Sequence, residues 1–192
     1  MEKLTGLKKI RTAVFISGRG SNLKNIIKFS RLKKSPILIN LIVSSKHLAK
    51  GLKYADQFKI KKKIYNFKNC KESERNISIL LKNEKIKFIC LAGFMKILSK
   101  EFINKFNGQI INIHPSLLPK YKGLNTHSKA IKNKDKITGC TVHYVTPKLD
   151  SGKIILQKIV KISAKDSPAS LAKKVLKQEH KLYPAAILKI FN

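Results

Sequence analysis

"TAVFISGRGSNLKNIIKFSRLKK" (12–34) reads as a strand, a glycine turn and a helix in immediate succession. The stretch 12–17 is rich in β-branched and aromatic residues and stops at Gly18. Ser21 or Asn22 is placed to cap a helix whose apolar positions, Leu23, Ile26 and Ile27, recur at helical spacing. A short apolar strand feeding an amphipathic helix is the building unit of α/β proteins.

The rest of the chain repeats that unit. "ILINLIV" (37–43) is a nearly continuous apolar run, the pattern of a strand covered on both faces. A helix weakened by Gly51 is expected over 46–58, a short strand in "KKIYNF" (62–67), a helix over 71–85 and a buried strand in "FICLAG" (88–93). The second half is less regular. A short helix (100–106) leads to the strand "QIINI" (109–113), and a helix is expected over 126–134. "TGCTVHYVT" (138–146) and "GKIILQKIVKI" (152–162) read as a strand pair around the turn "PKLDSG". The closing helix has Ser167 as cap and Pro168 in its first turn, and Pro184 is expected to bend or break it. The expected architecture is one α/β domain spanning 1–192, with a single doubly wound, mostly parallel twisted sheet, helices on both faces and a modified second half.

With 192 residues, 43% of them hydrophobic, the chain can bury a core of ordinary domain size. No apolar run is long enough for a membrane-crossing helix. The apolar part of "MEKLTGLKKIRTAVFISG" is too short for a signal peptide and reads as a first strand. Cys70, Cys90 and Cys140 are odd in number and widely spaced, with neither zinc spacing nor a disulfide framework, so a reducing cytoplasm is expected. The net charge is +32, yet of 42 basic residues only Arg11, Arg19, Arg31 and Arg75 are arginines. A nucleic-acid surface usually mixes in arginine for bidentate contacts. Lysine spread evenly beside isoleucine and asparagine instead reads as an AT-rich codon bias, and nucleic acid is not an expected partner. The positive field still favours anionic substrates.

Four stretches are candidates for chemistry. In "ISGRGSN" (16–22), Gly18 and Gly20 permit close backbone approach, and the helix start with Ser21 and Asn22 suits a phosphate. It is neither a full GxGxxG nor a Walker loop, and a plain tight turn explains it equally well. "AGFMKILS" (92–99) is too apolar for a surface loop, which fits core packing or the wall of a heterocycle pocket. In "INIHPSLLPKYKG" (111–123), Asn112 and His114 stand two apart at a strand end, so they share a face before a loop stiffened by Pro115 and Pro119. In "TPKLDSG" (146–152), Asp150 precedes Gly152 in ordinary turn chemistry, but it is one of only ten acidic residues. His143, Glu179 and His180, taken singly, read as structural.

Together these residues carry a resemblance. "ISGRGSNL", "LAGFMKILS", "INIHPSLLPKYKGLNTH", "GCTVHYVTPKLDSGKIILQ" and "KQEHKLYP" occur in the order and spacing of the phosphoribosylglycinamide (glycinamide ribonucleotide) formyltransferases, from about Thr12 to Pro184. The "HPSLLPKYKG" loop resembles that of folate-dependent formyltransferases generally, while "GSN", "QEH" and "YP" resemble the purine-pathway enzyme. The resemblance implies a Rossmann-like formyltransferase fold. It implies transfer of a formyl group from 10-formyltetrahydrofolate, a co-substrate, to the amine of glycinamide ribonucleotide, with no metal. It assigns catalysis to Asn112, His114 and Asp150. It assigns substrate binding to Gly20, Ser21, Asn22 and Glu179, and folate binding to Lys71, Met95, Lys96, Ile97, Leu98, Asn112, His143, Val145 and Asp150. It further implies a substrate-phosphate half (about 12–100), a folate and catalytic half (about 101–192), and a cytoplasmic monomer or homodimer. The chain departs from the family at Lys96, where arginine is common, at Lys71, which stands nearest a missing folate-binding arginine, at Leu176, and in "LDSG" for "LDGG".

The expected mechanism needs no side-chain nucleophile, because the substrate amine attacks the formyl carbon. Asn112 and a protonated His114 are expected to donate to the resulting oxyanion, with Asp150 as base, directly or through a water. Three alternatives share part of the pattern. Methionyl-tRNA formyltransferase is expected to carry a further C-terminal domain, and formyltetrahydrofolate deformylase an N-terminal regulatory one. A basic nucleic-acid-binding module would leave the spaced motifs unexplained.

Overall fold

The computed structural model describes residues 9–191; the lysine-bearing residues 1–8, which the sequence reading joined to the first strand and included in the expected domain, lie outside them, as does Asn192. The described residues form a seven-stranded, mostly parallel sheet in the order β3-β2-β1-β4-β5-β6-β7. The chain divides into two compact units, one of residues 9–96, 106–109 and 191, the other of 97–105 and 110–190.

The first unit contains β1 (Ile10–Ile16), α1 (Ser21–Ser30), β2 (Ile37–Ser44), α2 (Leu52–Gln57), β3 (Lys61–Ile64), α3 (Cys70–Asn83) and β4 (Phe88–Leu91). Strand β1 pairs in parallel with both β2 and β4, and β2 pairs in parallel with β3. Ala13, Val14, Phe15 and Ile16 are fully buried, as are Leu23, Ile26 and Ile27 on the face of α1 that the sequence spacing identified. The strand order places a switch point between β1 and β4, because the chain leaves β1 toward β2 and returns on the other side at β4. Ligands of open α/β sheets bind beyond the strand ends at such a point.

Two helix boundaries differ from expectation. Helix α1 takes Gly20 rather than Ser21 or Asn22 as its N-cap, in the left-handed conformation (φ +74°), a residue with no side chain to cap the helix. A Cβ on Gly20 would lie 2.5 Å from the Cα of Gly51, so the missing side chain admits the Gly51 backbone. The expected helix over 46–58 shrinks to α2 for the same reason. The Gly51 amide donates to the Gly18 carbonyl at 3.0 Å rather than to a carbonyl one turn earlier.

The second unit contains α4 (Lys100–Lys105), β5 (Gln109–His114), α5 (Thr126–Lys132), β6 (Ile137–Tyr144), β7 (Ile154–Lys161) and α6 (Pro168–Phe191). Here β5 pairs antiparallel with β6, and β6 with β7. The modified second half is therefore an antiparallel meander. Ser167 caps α6, its Oγ accepting from the Ser170 amide at 3.2 Å. Pro184 does not break α6, which runs through it. An interior proline costs about 3 kcal/mol, but Tyr183, Ala186 and Ile187 are fully buried around it. Large apolar side chains gain about 1.5–3 kcal/mol each on full burial, so packing outweighs the lost backbone bond.

Candidate active site

Strands β5 and β6 build one polar face. Asn112 stands directly opposite His143, and His114 opposite Thr141. Alternation puts all four side chains on the same side of the ladder. The Nδ2 of Asn112 reaches Nε2 of His143 at 3.3 Å. The turn after β6 brings the acid. Oδ2 of Asp150 lies 3.4 Å from Nδ1 of His114, and its Oδ1 lies 3.6 Å from Nε2 of His143. All three side chains are at most 7% exposed.

Asp150 is held by its backbone as much as by its partners. Its φ is +44°, in the left-handed region that non-glycine residues seldom occupy. Two residues on, a Cβ at Gly152 would stand 1.8 Å from the Tyr144 carbonyl oxygen, so only glycine lets the turn close on β6. The Asp-x-Gly turn chemistry thus aims the carboxylate.

The loop after β5 is pinned along its length. Ser116 Oγ donates to the Lys120 carbonyl (2.6 Å), and Thr141 Oγ1 donates to the Ser116 carbonyl (2.6 Å) and accepts from the Leu118 amide (3.1 Å). Gln157 Nε2 donates to the Leu118 carbonyl at 2.9 Å. The loop returns two backbone groups to the polar face: the Tyr121 carbonyl accepts from Nε2 of His114, and the Gly123 amide donates to Asp150 Oδ2, both at 2.8 Å.

These acceptors fix the tautomers. A carbonyl demands a proton, so Nε2 of His114 and Nδ1 of His143, which faces the Tyr144 carbonyl at 2.8 Å, are both N–H. With that proton on Nδ1, Nε2 of His143 is placed to accept from Asn112, leaving the second N–H of that amide for a ligand. In His114 the nitrogen that gains or loses a proton is Nδ1, beside the carboxylate. Burial lowers the His114 pKa below 6.5; the Tyr121 carbonyl and Asp150 oppose this, and His143 and Lys129 reinforce it. Burial pushes the Asp150 carboxyl up, but His143, the Gly123 amide and His114 together hold it below the ordinary carboxylate range. The Gly123 bond is the short one, whereas the 3.6 Å to His143 is beyond hydrogen-bond distance.

In the first unit, the ends of β1 and β4 are laced together at the switch point. The Ser17 amide donates to the Gly93 carbonyl (3.0 Å), and Ser17 Oγ accepts from the Met95 amide (2.8 Å) and lies 2.6 Å from Ser45 Oγ. The first turn of a helix leaves N–H groups without intrahelical partners, and α1 carries no acidic residue there. Those groups and the dipole favour an anion beside Gly20, Ser21 and Asn22.

The other residues singled out from sequence are scattered. Met95 and Ile97 are 60% and 69% exposed, whereas Leu98 is buried. Lys71 and Lys96 are exposed, and Val145 is half-buried. Glu179 is buried on α6 beside Cys140, whose thiol is pushed up to about 12 by burial and by that carboxylate. The Tyr121 carbonyl, the Gly123 amide, Thr141 and Gln157 were not singled out. Two of these are backbone groups, and no side-chain pattern marks them. Among the described residues no cluster of three His, Cys, Asp or Glu is arranged to hold a metal ion, and no helix is long and apolar enough to cross a membrane.

The formyl transferase family profile matches residues 10–187. The phosphoribosylglycinamide formyltransferase of Haemophilus influenzae is 42% identical, over 94% of this chain and 86% of that protein. The trifunctional purine biosynthetic protein adenosine-3 of Homo sapiens is 43% identical over 94% of this chain, which spans only 18% of that much longer protein. Among solved structures, phosphoribosylglycinamide formyltransferase from Brucella melitensis matches with a TM-score of 0.90 and 40% identity, covering 95% of this chain and 96% of that one. Profile, sequence and fold agree over nearly the whole length, and the chain belongs to the formyl transferase family, among its phosphoribosylglycinamide formyltransferases.

Proposed function

We propose that the protein transfers the formyl group of 10-formyltetrahydrofolate to the amine of N1-(5-phosphoribosyl)glycinamide, a step of de novo purine (IMP) biosynthesis. The observation that carries this reading is the Asp150-centred cluster: an amide, two imidazoles and an ionised carboxylate on one buried face. Such a face suits acyl transfer to an external amine, since no serine or cysteine nucleophile is needed.

The division of work follows from the tautomers. The substrate amine attacks the formyl carbon, and the carbonyl oxygen becomes an oxyanion. The second N–H of Asn112 donates to it, and His114, protonated at Nδ1, supplies positive charge. Removing one such donor costs about 2.7–4 kcal/mol of barrier. Asp150 assists removal of the amine proton, directly or through a water, and its charge favours imidazolium at His114. The proton ends on the folate nitrogen as the C–N bond to the formyl group breaks.

The phosphate is assigned to Gly20, Ser21 and Asn22, with Glu179 for the ribose. Folate is assigned to Lys71, Met95, Lys96, Ile97, Leu98, Asn112, His143, Val145 and Asp150. This gives the first unit the phosphate and the second the chemistry. The test is an absorbance assay with a 10-formyl folate analogue, with and without glycinamide ribonucleotide. Folate release only when the amine is present is the expected result. Release without it would indicate hydrolysis of the formyl group instead, and no release in either arm would reject the proposal.

A further inference from the structure

Tyr121 is gripped by the segment that closes α5. Its phenol O–H donates to Oδ2 of Asp135 at 2.8 Å, and the same oxygen accepts from Nδ2 of Asn133 at 2.8 Å. Lys120 Nζ pairs with the other oxygen of Asp135 at 2.7 Å and lies 5.1 Å from the centre of the Tyr121 ring. The Asp135 carboxylate is only 12% exposed, and its backbone amide is bound to the Ala130 carbonyl at 3.0 Å. This anchor stands outside the Asp150 cluster.

At the other end of the same residue, the backbone adopts φ +56°, a conformation that a tyrosine occupies only when its surroundings impose it. That conformation turns the Tyr121 carbonyl to the Nε2 of His114 at 2.8 Å, with Ser116 Oγ also reaching it at 3.3 Å. One tyrosine therefore joins a surface-side carboxylate to a buried imidazole, through its side chain on one side and its carbonyl on the other.

We infer that Tyr121 and Asp135 are positioning residues for His114: the phenol–carboxylate contact holds the Tyr121 backbone so that its carbonyl fixes the proton on Nε2 and leaves Nδ1 as the titrating nitrogen. The inference rests on the reading of His114 as part of the formyl-transfer machinery. It explains why a non-glycine residue sits in a disfavoured conformation at this point of the loop. A carbonyl on Nε2 favours the charged ring, opposing the burial that lowers the His114 pKa. The other ionisable groups facing the ring are Asp150 and His143 from the β6 side, and Lys129 and His127 from α5.

The test compares wild type, Tyr121→Phe, Asp135→Ala and the double variant, by steady-state kinetics across pH and by nitrogen NMR of the imidazoles, with His114→Gln to assign the signal. Tyr121→Phe keeps the ring and removes the grip. It is expected to lower kcat about tenfold with both KM values held within about twofold, and to move the His114 titration downward by about half a unit. The double variant is expected to be no worse than Tyr121→Phe alone, the mark of residues acting in series. Tyr121→Phe with wild-type kcat and titration overturns the inference, as does a double variant equal to the product of the singles. If Asp135→Ala fails to fold, Tyr121→Phe decides alone. If wild type transfers no formyl group, the functional reading fails, and the His114 titration still decides whether Tyr121 sets the ring.

Discussion

Asp150 and Gly123 are joined by a single short bond, the Gly123 amide donating to Oδ2 of Asp150 at 2.8 Å. Each belongs to a separate loop of the second unit, and the bond aligns the carboxylate with Nδ1 of His114. Lys122 and Ser151, the neighbours of the two residues, repeat the connection through Nζ and Oγ at 2.5 Å. Ser151, the departure from "LDGG", thus adds a second clasp between the loops.

That geometry separates charge from shape at Asp150. An asparagine there still accepts from Gly123 but carries no negative charge and takes up no proton. Asp150→Asn is expected to lower kcat by about 10²–10⁴, with the thermal midpoint nearly unchanged. His114→Ala is expected to lose a similar share of turnover. Wild-type turnover in either variant, or a collapse of the melting transition in Asp150→Asn, contradicts the proposed role.

Gly20 supports a prediction about stability. An alanine there must hold a left-handed φ, of order 1–3 kcal/mol, and its Cβ would meet the Cα of Gly51 at 2.5 Å. Gly20→Ala is expected to lower the urea midpoint and to raise the KM for glycinamide ribonucleotide. An unchanged midpoint would mean that the two backbones are not in contact. Ser21→Asp, which adds negative charge at the helix start, is expected to raise the same KM without lowering the midpoint, since the helix dipole favours an acidic residue there.

Acid should destabilise the fold in two windows. Burial depresses the pKa values of His114, His127 and His180 below 6.5, so the unfolded chain binds more protons there than the folded one. Stability therefore falls as pH drops through 6.5 and levels off below the folded values. A second loss follows as the depressed carboxylates protonate. Asp166 is held at about 2, mainly by Lys174 and then by the Ser163 amide and Ser170. Its share is lost between its ordinary 3.8 and about 2. Melting scans across pH check both windows, and a midpoint that rises on acidification from 6.5 contradicts the first.

The three cysteines should differ sharply in reactivity. Cys70 is exposed, whereas Cys90 and Cys140 are buried, and the Cys140 thiol is pushed up to about 12. Only the thiolate attacks disulfide reagents. A colorimetric disulfide titration of the native protein is expected to find one fast thiol, and three after denaturation. Fast reaction of a second thiol in the native state contradicts the burial of the pair.

Sequence determined the α/β alternation, the buried strands of the first unit, the strand pair around Asp150 and the face shared by Asn112 and His114. These follow from local patterns: a period of two or 3.6, glycines at turns, and residue types matched to a pleated, half-buried surface. Tertiary structure decided the rest. Gly51 pressed on Gly20 set where α1 and α2 begin, and burial around Pro184 carried α6 through a residue expected to bend or break it. His143 became part of the cluster because β6 registers it opposite Asn112, a relation between strands 31 residues apart. The tautomer of His114 is fixed by the Tyr121 carbonyl, and the aim of Asp150 by the Gly123 amide. Every residue carries such a backbone group, so no sequence pattern singles one out, and its use depends on where the folded chain places it.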